Sequence, residues 1–362
     1  MALHAVLKHA KAMLKRAKAI VGVAVFDVPR YLLAMFYDHD RYLGICNRAE
    51  SLIAAPDGSG YRCDWRWTSD LHAPTVIPAL GQWLMRRSLL DHPIQRSPKL
   101  ATTFEAPEIS FIIGHRGTAR LPLLLATIES IATQVGARVE CIVVEQDGNP
   151  TIRDQIPGWV RYIHTPPSYD MPYCRSWAFN VGANLAQGRV LVLHDNDLLV
   201  PTDYAAKIVQ RTAEEYEVVN LKRFIFYLSE HQTQDYLRGH IEISDVVPEA
   251  IMQNAEAGGS IGITRDAYDR IGGMDESFIG WGGEDNEFWE RAQACRVWPY
   301  ASLPIVHLWH AAQPRKQDLN NPSLGRYLAL SMRSPESRIA NLRSVAQGDI
   351  RGPAGSSRNV AS

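Results

Sequence analysis

The sequence predicts an α/β fold in which a mostly parallel sheet is flanked by helices. The first observation is that short apolar strands alternate with helical segments between residues 106 and 330. The second is that polar side chains follow the strands, and parallel strands bring their carboxyl ends to one edge of a sheet. This alternation is typical of a sheet with helices on both faces.

The predicted elements follow one another in a regular order. We expect strands at "ISFIIGH", "VECIVVEQD", "RYIHT" and "RVLVLHDND", and helices at "LPLLLATIESIATQV" and "CRSWAFNVGANLAQG". Pro122 lies where proline is tolerated in a helix, near its start, and Gly188 lies where glycine often ends one. The polar residues at the strand ends are His115, Arg116, Glu145, Asp147, Asp195 and Asp197.

Changes in composition divide the chain into three parts. Residues 1–105 form an amino-terminal extension that is helical at its start and irregular further on. Residues 106–330 hold the strand and helix alternation and form the main domain. Residues 331–362 are polar and rich in Gly, Ser and Pro, which predicts a flexible tail.

Residues 1–24 predict a basic amphipathic helix. Five Lys and Arg residues lie between positions 8 and 18, and no acidic residue precedes Asp27. One interpretation is a helix that lies on an anionic membrane surface, and the other is a helix packed on its own domain or on a second subunit. Polar residues and a proline interrupt "AIVGVAVFDVPRYLLAMF", so we predict neither a spanning helix nor a cleaved signal peptide.

The overall charge and the cysteines exclude some function classes. Lys and Arg total 38 against 39 Asp and Glu, so no global attraction to nucleic acid is expected. The five cysteines have no CxxC spacing, which argues against a zinc–thiolate site and favours a reducing compartment. We therefore expect a cytoplasmic protein, with peripheral attachment at the inner face of a membrane as a further expectation.

Two carboxylates at the end of "VLVLHDND" indicate a cation site. Asp195 and Asp197 project to the same side of an extended segment, so one can bind a divalent cation while the other holds a nearby hydroxyl. Such a cation would neutralise a diphosphate leaving group. A solvated turn explains the same residues, because Asp-Asn-Asp is also common in turns.

A histidine pair supplies a second candidate ligand. His307 and His310 lie in "VHLWHAAQP", after another apolar segment. One neutral imidazole with carboxylates, a diphosphate and water would complete the coordination of Mn²⁺, with Mg²⁺ as the alternative. We favour His310 over His307, and a purely structural histidine pair is the other interpretation.

Three long motifs together resemble a known family. They are "YCRSWAFNVGANLAQGRVLVLHDNDLLVP", "AGGSIGITRDAYDRIGGMDESFIGWGGEDNEFWERA" and "HLWH", in this order. They resemble the motifs of metal-dependent, family 2-like glycosyltransferases of the GT-A fold, a Rossmann-like fold, with a galactosyltransferase-type carboxyl half. The likeness covers about residues 108–315 and is greatest to β-1,4-galactosyltransferases and bacterial chondroitin-type polymerases.

The resemblance implies roles for residues at the sheet edge. Asp195 and Asp197 match the family's Asp-x-Asp motif, with Asp197 as the more direct metal ligand and His310 as the late histidine ligand. The other residues implied to lie beside a nucleotide-sugar donor, most simply a UDP-sugar, are Arg116, Glu145, Arg175 and Asn180. Gly259 is expected close to the donor sugar at a strand start, with a tight turn as the alternative.

The stretch "GWGGEDNEFWERA" is the expected catalytic loop. Gly282 and Gly283 would let the backbone approach an acceptor sugar, and Trp281 would offer an apolar face to it. The resemblance implies that Asp285 is the base on the acceptor hydroxyl and that Glu284 hydrogen-bonds donor or acceptor hydroxyls. Glu287 and Glu290 are expected to face outward on the following helix. Acidic residues at a helix start are also favoured by the helix dipole alone.

These features predict an inverting, metal-dependent hexosyltransferase that moves a sugar to a hydroxyl of a glycan or a lipid-linked acceptor. Two alternatives use the same residues. One is a non-catalytic module that binds nucleotide sugars or carbohydrates, and the other is a metal-dependent phosphodiesterase. An Asp285 variant that loses sugar transfer but still binds the donor would favour the enzyme over the binding module.

Overall fold

The computed structural model describes residues 13–14, 17–48, 50–63, 72–99, 105–167, 171–311 and 321–353. The chain divides into two compact units. Unit 1 comprises Met1–Pro93, Lys222–Asn254 and Tyr300–Val306, and unit 2 comprises Ile94–Leu221, Ala255–Pro299 and His307–Ser362. The domain boundaries expected from composition stay a prediction.

The elements run in the following order along the chain. The strands are β1 (Leu52–Ala54), β2 (Tyr61–Cys63), β3 (Ile109–His115), β4 (Val139–Glu145), β5 (Arg161–His164), β6 (Val190–His194), β7 (Leu198–Leu199), β8 (Val218–Val219), β9 (Lys222–Tyr227), β10 (Ala250–Gln253), β11 (Ser260–Thr264), β12 (Val297–Trp298) and β13 (Leu303–His307). The α-helices are α1 (Val28–Tyr37), α2 (Ala73–Val76), α3 (Pro78–Asp91), α4 (Leu121–Ile131), α5 (Arg175–Leu185), α6 (Tyr204–Ala213), α7 (Glu230–Leu237), α8 (Arg265–Arg270), α9 (Glu284–Ala292), α10 (Pro322–Ser331) and α11 (Pro335–Arg343).

Unit 2 is built on one mixed sheet with the strand order β12-β8-β11-β6-β3-β4-β5. Strands β6, β3, β4 and β5 are parallel neighbours, whereas β11 runs antiparallel to both β6 and β8. The side chains of β3 are buried along its whole length, which explains its continuous apolar sequence. The carboxyl ends of the parallel strands therefore meet at one edge.

Helices cover both faces of this sheet. Phe111, Val192 and Gly262 are paired across neighbouring strands and share one face, where Ile208 of α6 packs close to Gly262. Ile112 belongs to the opposite face, because successive residues of a strand alternate. A side chain at Gly182 of α5 would collide with Ile112, so α5 lies against that second face.

The α/β fold predicted from the sequence is confirmed for this part of the chain. The predicted strands and helices correspond to β3, α4, β4, β5, α5 and β6, with ends that differ by a few residues. Pro122 lies in the first turn of α4 as expected. Residues 335–343, within the tail expected to be flexible, form helix α11, whose Arg338 is buried against Glu290 of α9.

Unit 1 contains the hairpin of β1 and β2 and a sheet in which β10, β9 and β13 are neighbours. Arg223 of β9 is fully buried and donates hydrogen bonds to the carbonyl oxygens of Leu43 and Ile45. The amino-terminal helix Ala17–Tyr37 belongs to this unit and includes a π-helical turn at Val23–Asp27. The basic helix predicted over residues 1–24 lies mostly outside the described residues.

Helix Ala17–Tyr37 is long and apolar enough to cross a membrane by length and composition. Among the described residues it is the one helix that meets this criterion. Asp27, Pro29 and Arg30 interrupt this segment, and the expectation that it does not span a membrane stays a prediction.

Candidate active site

An arginine at the start of α5 joins two predicted site residues. The guanidinium group of Arg175 donates one hydrogen bond to Asp195 Oδ1 at 2.5 Å and another to Asp285 Oδ1. Its Nη1 atom also lies 3.7 Å from Glu284 Oε1. The arginine is positioned by its own helix, since its guanidinium stacks 4.7 Å from the ring centre of Phe179. The structure thus brings together the carboxylates that follow β6 and those that begin α9.

A second cluster contains Asp197, His307 and His310. One potential ligand atom from each residue lies within 4.8 Å of the others. Asp197 Oδ2 is 3.2 Å from His310 Nε2, and Asp197 Oδ1 is 3.8 Å from His307 Nε2. A backbone hydrogen bond from Leu308 to the Asp197 carbonyl oxygen, at 2.9 Å, holds the two segments side by side.

The carboxylate of Asp197 is a suitable cation ligand on physical grounds. Its side chain is 5% exposed, and its buried Oδ1 atom accepts no hydrogen bond. A buried carboxylate oxygen without a donor is costly, and a metal ion is one of the groups that can compensate it. This unsatisfied oxygen therefore favours a cation between Asp197 and the histidines.

Arg120 belongs to the same cluster and was missed from the sequence. It precedes α4, donates to His310 Nδ1 at 2.8 Å and lies 3.4 Å from Asp197 Oδ2. The available signal was a basic residue in the loop between the first predicted strand and helix, where ligands of α/β sheets bind. His310 Nδ1 also lies 2.8 Å from the Ala311 carbonyl oxygen, and only the tautomer protonated at Nδ1 can donate to it.

Burial shifts the pKa values of several groups in the site. It lowers the pKa of His307, which favours the neutral imidazole that binds metals. Burial also raises the pKa of Asp195 to about 7, with Asp197 and Asp285 adding to the effect and Arg175 opposing it. The pKa of Glu284 is raised by burial and then by the nearby charge of Asp285. The site therefore holds more acidic groups than its single arginine bridge neutralises.

The predicted catalytic loop lies at the amino end of α9. Glu284 is nearly buried and accepts a hydrogen bond from the Gly282 backbone at 3.0 Å, whereas the Asp285 side chain is 35% exposed. Trp281 is 41% exposed, and the amide of Asn321 donates to its carbonyl oxygen at 2.8 Å. Gly283 forms the amino-terminal cap of α9. The more accessible carboxylate is thus the one expected to act as the base.

Close approach of the Asp285 side chain explains the glycine at position 258, next to the predicted donor-site residue Gly259. Gly258 has a φ of +72°, and a Cβ atom there would lie 2.7 Å from Asp285 Oδ2. Its neighbour Gly259 accepts a hydrogen bond from the Asp195 backbone at 2.8 Å through its carbonyl oxygen. The two glycines that precede β11 therefore lie against the Asp285 carboxylate and the Asp195 main chain.

Other predicted site residues are not brought into these clusters. Asn180 is buried, and its amide nitrogen donates to the Met274 carbonyl oxygen and to Glu276, each at 2.8 Å. Glu145 is fully buried and accepts hydrogen bonds from Thr151 and from the Tyr162 hydroxyl. These contacts give both side chains a structural role, and their donor-binding role stays a prediction.

Arg116 and Glu287 complete the placement of the predicted residues. Arg116 lies at the sheet edge and donates to the Met171 carbonyl oxygen at 2.8 Å, without a contact to the carboxylate clusters. Glu287 is 1% exposed and forms a buried ion pair with Arg291 at 2.7 Å. The expectation that Glu287 faces outward is wrong, because Arg291, one helical turn later, and Arg338 of α11 neutralise it inside unit 2.

Comparison with known families defines the class of the protein. Residues 110–265 match Glycosyl transferase family 2, and residues 244–299 match the N-terminal domain of galactosyltransferase. Two overlapping stretches thus match glycosyltransferase family 2 and a galactosyltransferase-type segment, and the enzyme class is that of the glycosyltransferases. This confirms the predicted resemblance and the predicted GT-A fold class. No curated protein matches the chain.

Three solved structures are similar to this chain at low sequence identity. The chain is 16% identical to the catalytic domain of Drosophila beta1,4galactosyltransferase 7 in complex with xylobiose, with 54% of this chain and 64% of that chain covered and a TM-score of 0.33. It is 14% identical to GalNAc-T7 with UDP, GalNAc and Mn²⁺, with 63% and 48% covered and a TM-score of 0.45. It is 16% identical to the mannosyltransferase PcManGT from Pyrobaculum calidifontis in complex with GDP-Man and Mn²⁺, with 74% and 76% covered and a TM-score of 0.42.

Proposed function

We propose that the protein transfers a sugar from a nucleotide sugar, most simply a UDP-sugar, to a hydroxyl of a glycan or lipid-linked acceptor. The observation that carries the proposal is the juxtaposition of two groups in unit 2. One is the Asp197, His307 and His310 cluster, and the other is the Asp195 and Asp285 pair joined by Arg175. The first suits a leaving diphosphate, and in the second Asp195 would lie on the donor side while Asp285 faces an acceptor hydroxyl.

The metal-ligand chemistry of the first cluster fits Mn²⁺, with Mg²⁺ as the alternative. Asp197 and His310 would hold the ion, and His307 offers a further imidazole. Two imidazoles with one carboxylate favour Mn²⁺ over Mg²⁺, which prefers oxygen ligands. When bound, the ion would stabilise negative charge on the diphosphate as it leaves.

Two arginines, Arg120 and Arg175, would add fixed positive charge on the donor side. Arg120 lies beside Asp197 and His310, within the loop that follows β3. A guanidinium group matches phosphate oxygens in geometry as well as in charge. His310 Nδ1 can accept from Arg120 only when it carries no proton, and it can donate to the Ala311 carbonyl oxygen only when it does. The tautomer protonated at Nδ1 leaves Nε2 free to bind a metal. We therefore propose that Arg120 turns from His310 toward the donor phosphates when the metal binds.

Asp285 is proposed as the general base on the acceptor hydroxyl. Arg175 holds Oδ1 of Asp285, while the side chain remains partly exposed at the loop with Trp281. Glu284, whose pKa is raised by burial, would hold a proton more readily and so hydrogen-bond a sugar hydroxyl. A base on the acceptor and a single displacement would invert the configuration at the anomeric carbon.

The remaining predicted residues keep their proposed roles around this centre. Trp281 would stack on the acceptor sugar, with Gly282 and Gly283 giving the backbone access to it. Gly259 would lie beside the donor sugar. Arg116, Glu145 and Asn180 are proposed on family resemblance to support nucleotide binding, the last two through the loops they anchor. The proposed location is cytoplasmic, with residues 1–24 contacting the inner face of a membrane that carries the acceptor.

A panel of nucleotide sugars tests the proposal. Each donor is incubated with the full chain and Mn²⁺, with and without a chelator, and both sugar transfer and nucleoside diphosphate release are measured. We expect one donor to give metal-dependent release. Donor binding without any release would favour the binding module, and cleavage of bis(p-nitrophenyl) phosphate without a sugar donor would favour the phosphodiesterase.

A further inference from the structure

Helix Ala17–Tyr37 presents an apolar face that other described residues of unit 1 do not cover. Six large apolar side chains on it are each more than half exposed, namely Val21, Val25, Phe26, Leu33, Phe36 and Tyr37. We call these six residues the apolar face. The helix spans about 30 Å at 1.5 Å per residue, so the face is long as well as apolar. An exposed patch of this kind marks an interaction surface.

The opposite side of the same helix is packed on the protein. Val23, Tyr31 and Ala34 are each less than one-twentieth exposed. Asp27 is 2% exposed, and its carboxylate accepts hydrogen bonds from the backbone and from the guanidinium group of Arg48, both at 2.8 Å. A helix surrounded by lipid would have to break this ion pair, whose carboxylate is buried. The packing therefore argues against a helix that crosses the membrane.

The charge pattern indicates what covers the apolar face. Among the described residues of helix Ala17–Tyr37 the exposed charged side chains are Lys18 and Arg30, and both are basic. Five basic residues lie between positions 8 and 18 of the sequence. Basic residues flanking an apolar helical face match an anionic lipid surface, where headgroup phosphates meet acyl chains.

A groove beside the start of this helix also combines apolar residues with basic residues. It has a volume of about 470 Å³ and is lined by apolar residues that include Val25 and Phe26, with Lys18 and Arg48 as its basic residues. The Arg48 guanidinium lies 5.5 Å from the ring centre of Phe26. An acyl chain in the groove would place its phosphate near two cations.

We infer that helix Ala17–Tyr37 is an in-plane membrane anchor that lies on an anionic phospholipid surface through its apolar face. The helix inserts to the depth of its side chains, while the Asp27–Arg48 ion pair keeps its inner side on the protein. This orientation moves the membrane contact from the predicted segment 1–24 to residues up to Tyr37. The inference goes beyond the proposed sugar transfer and does not depend on it.

Vesicle binding by the full chain tests the inference in the absence of any sugar donor. Cosedimentation is measured with phosphatidylcholine vesicles and with vesicles that also contain phosphatidylglycerol. We expect binding to the anionic vesicles, weakened by salt, and a loss of about tenfold or more in a Leu33→Glu, Phe36→Glu double variant. Leu90→Glu is the matched control, because Leu90 is 74% exposed in unit 1 but lies on α3.

Protease protection tests the in-plane orientation. Epitope tags at both termini are digested in sealed inside-out membrane vesicles, and we expect both tags to be accessible from the same side. Protection of the amino-terminal tag alone would establish a spanning helix and overturn the inference. Wild-type binding by the double variant would overturn it as well. So would a dimer in lipid-free solution that the double variant converts to a monomer, since a second copy would then cover the face.

Discussion

Asp197 and His310 lie with Oδ2 of the carboxylate 3.2 Å from Nε2 of the imidazole, although they are far apart in the sequence. The Leu308 backbone donates to the Asp197 carbonyl oxygen, so main-chain pairing fixes the spacing of these two side chains. The positively charged guanidinium group of Arg120 lies beside both side chains. This arrangement ties the predicted Asp-x-Asp motif to the late histidine.

We predict that Mn²⁺ binding depends on this pair. Asp197→Asn removes the charge and His310→Ala removes an imidazole ligand, so each should weaken Mn²⁺ binding by about tenfold or more, as expected for loss of a direct ligand. Titration calorimetry on the full chain measures the affinity. His240→Ala is the control, because its side chain is 63% exposed in unit 1. If all three variants bound Mn²⁺ with equal affinity, the ion would not bind at this cluster.

Asp285→Asn is predicted to lower turnover by about 10²–10⁴-fold, because the amide keeps the shape of the carboxylate and loses its basicity. The affinity for the nucleotide sugar should change little, since the base acts on the acceptor. Steady-state kinetics and donor binding are measured together. Full activity in Asp285→Asn, with an inactive Glu284→Gln, would assign the base to Glu284 instead.

Two glycine substitutions separate backbone strain from contact with Asp285. Both Gly258 and Gly280 have positive φ, so alanine at either should cost about 1–2 kcal/mol in the free energy of unfolding. Only at Gly258 would the new Cβ atom meet Asp285, while nothing lies within 4 Å at Gly280. We expect similar stability losses by denaturant unfolding but a larger fall in kcat for Gly258→Ala. Equal kcat values would show that the close approach does not position Asp285.

His72 in unit 1 gives a prediction for pH and stability. Burial, helped by the charge of Arg223, lowers the pKa of His72 to about 3, and its Nε2 atom contacts the Tyr31 hydroxyl and the Gln253 amide. The unfolded chain takes up a proton near pH 6.5 while the folded protein does not, so stability is lost as the pH falls below that value.

The loss should amount to about 2 kcal/mol between about pH 6.5 and pH 5, at about 1.4 kcal/mol per pH unit. Urea unfolding at several pH values measures it. His72→Gln should be less stable near pH 7, and its deficit relative to the wild type should shrink as the pH falls. A deficit that stays constant with pH would show that His72 has the same pKa in the folded protein as in the unfolded chain.

The sheet of unit 2 was predictable because its strands are continuous buried runs. The sequence "ISFIIGH" has Ser110 as its single polar residue before His115, and β3 is buried throughout. The strand ends could likewise be recognised, since Asp195 and Asp197 follow directly after an apolar run. The order of the three family motifs along the chain then predicted which strand ends contribute to one site.

Residues whose role depends on distant partners were not predictable in the same way. Asn180 is held by Met274 and Glu276, which come almost a hundred positions later, so its motif could not show that its amide is already occupied. Glu287 resembles a solvated acid until Arg291 and Arg338 surround it. Arg120 was missed because one arginine in a loop has no pattern of its own, and only the fold places it beside His310.

The most direct test of the central claim is the rate of nucleoside diphosphate release from the accepted nucleotide sugar in the presence of acceptor. It is compared between the wild type and an Asp197→Asn, His310→Ala double variant, each with Mn²⁺ and with a chelator. We predict metal-dependent release by the wild type and no release above background by the variant under either condition. Release by the double variant at the wild-type rate, or release by the wild type that the chelator does not change, would contradict the account.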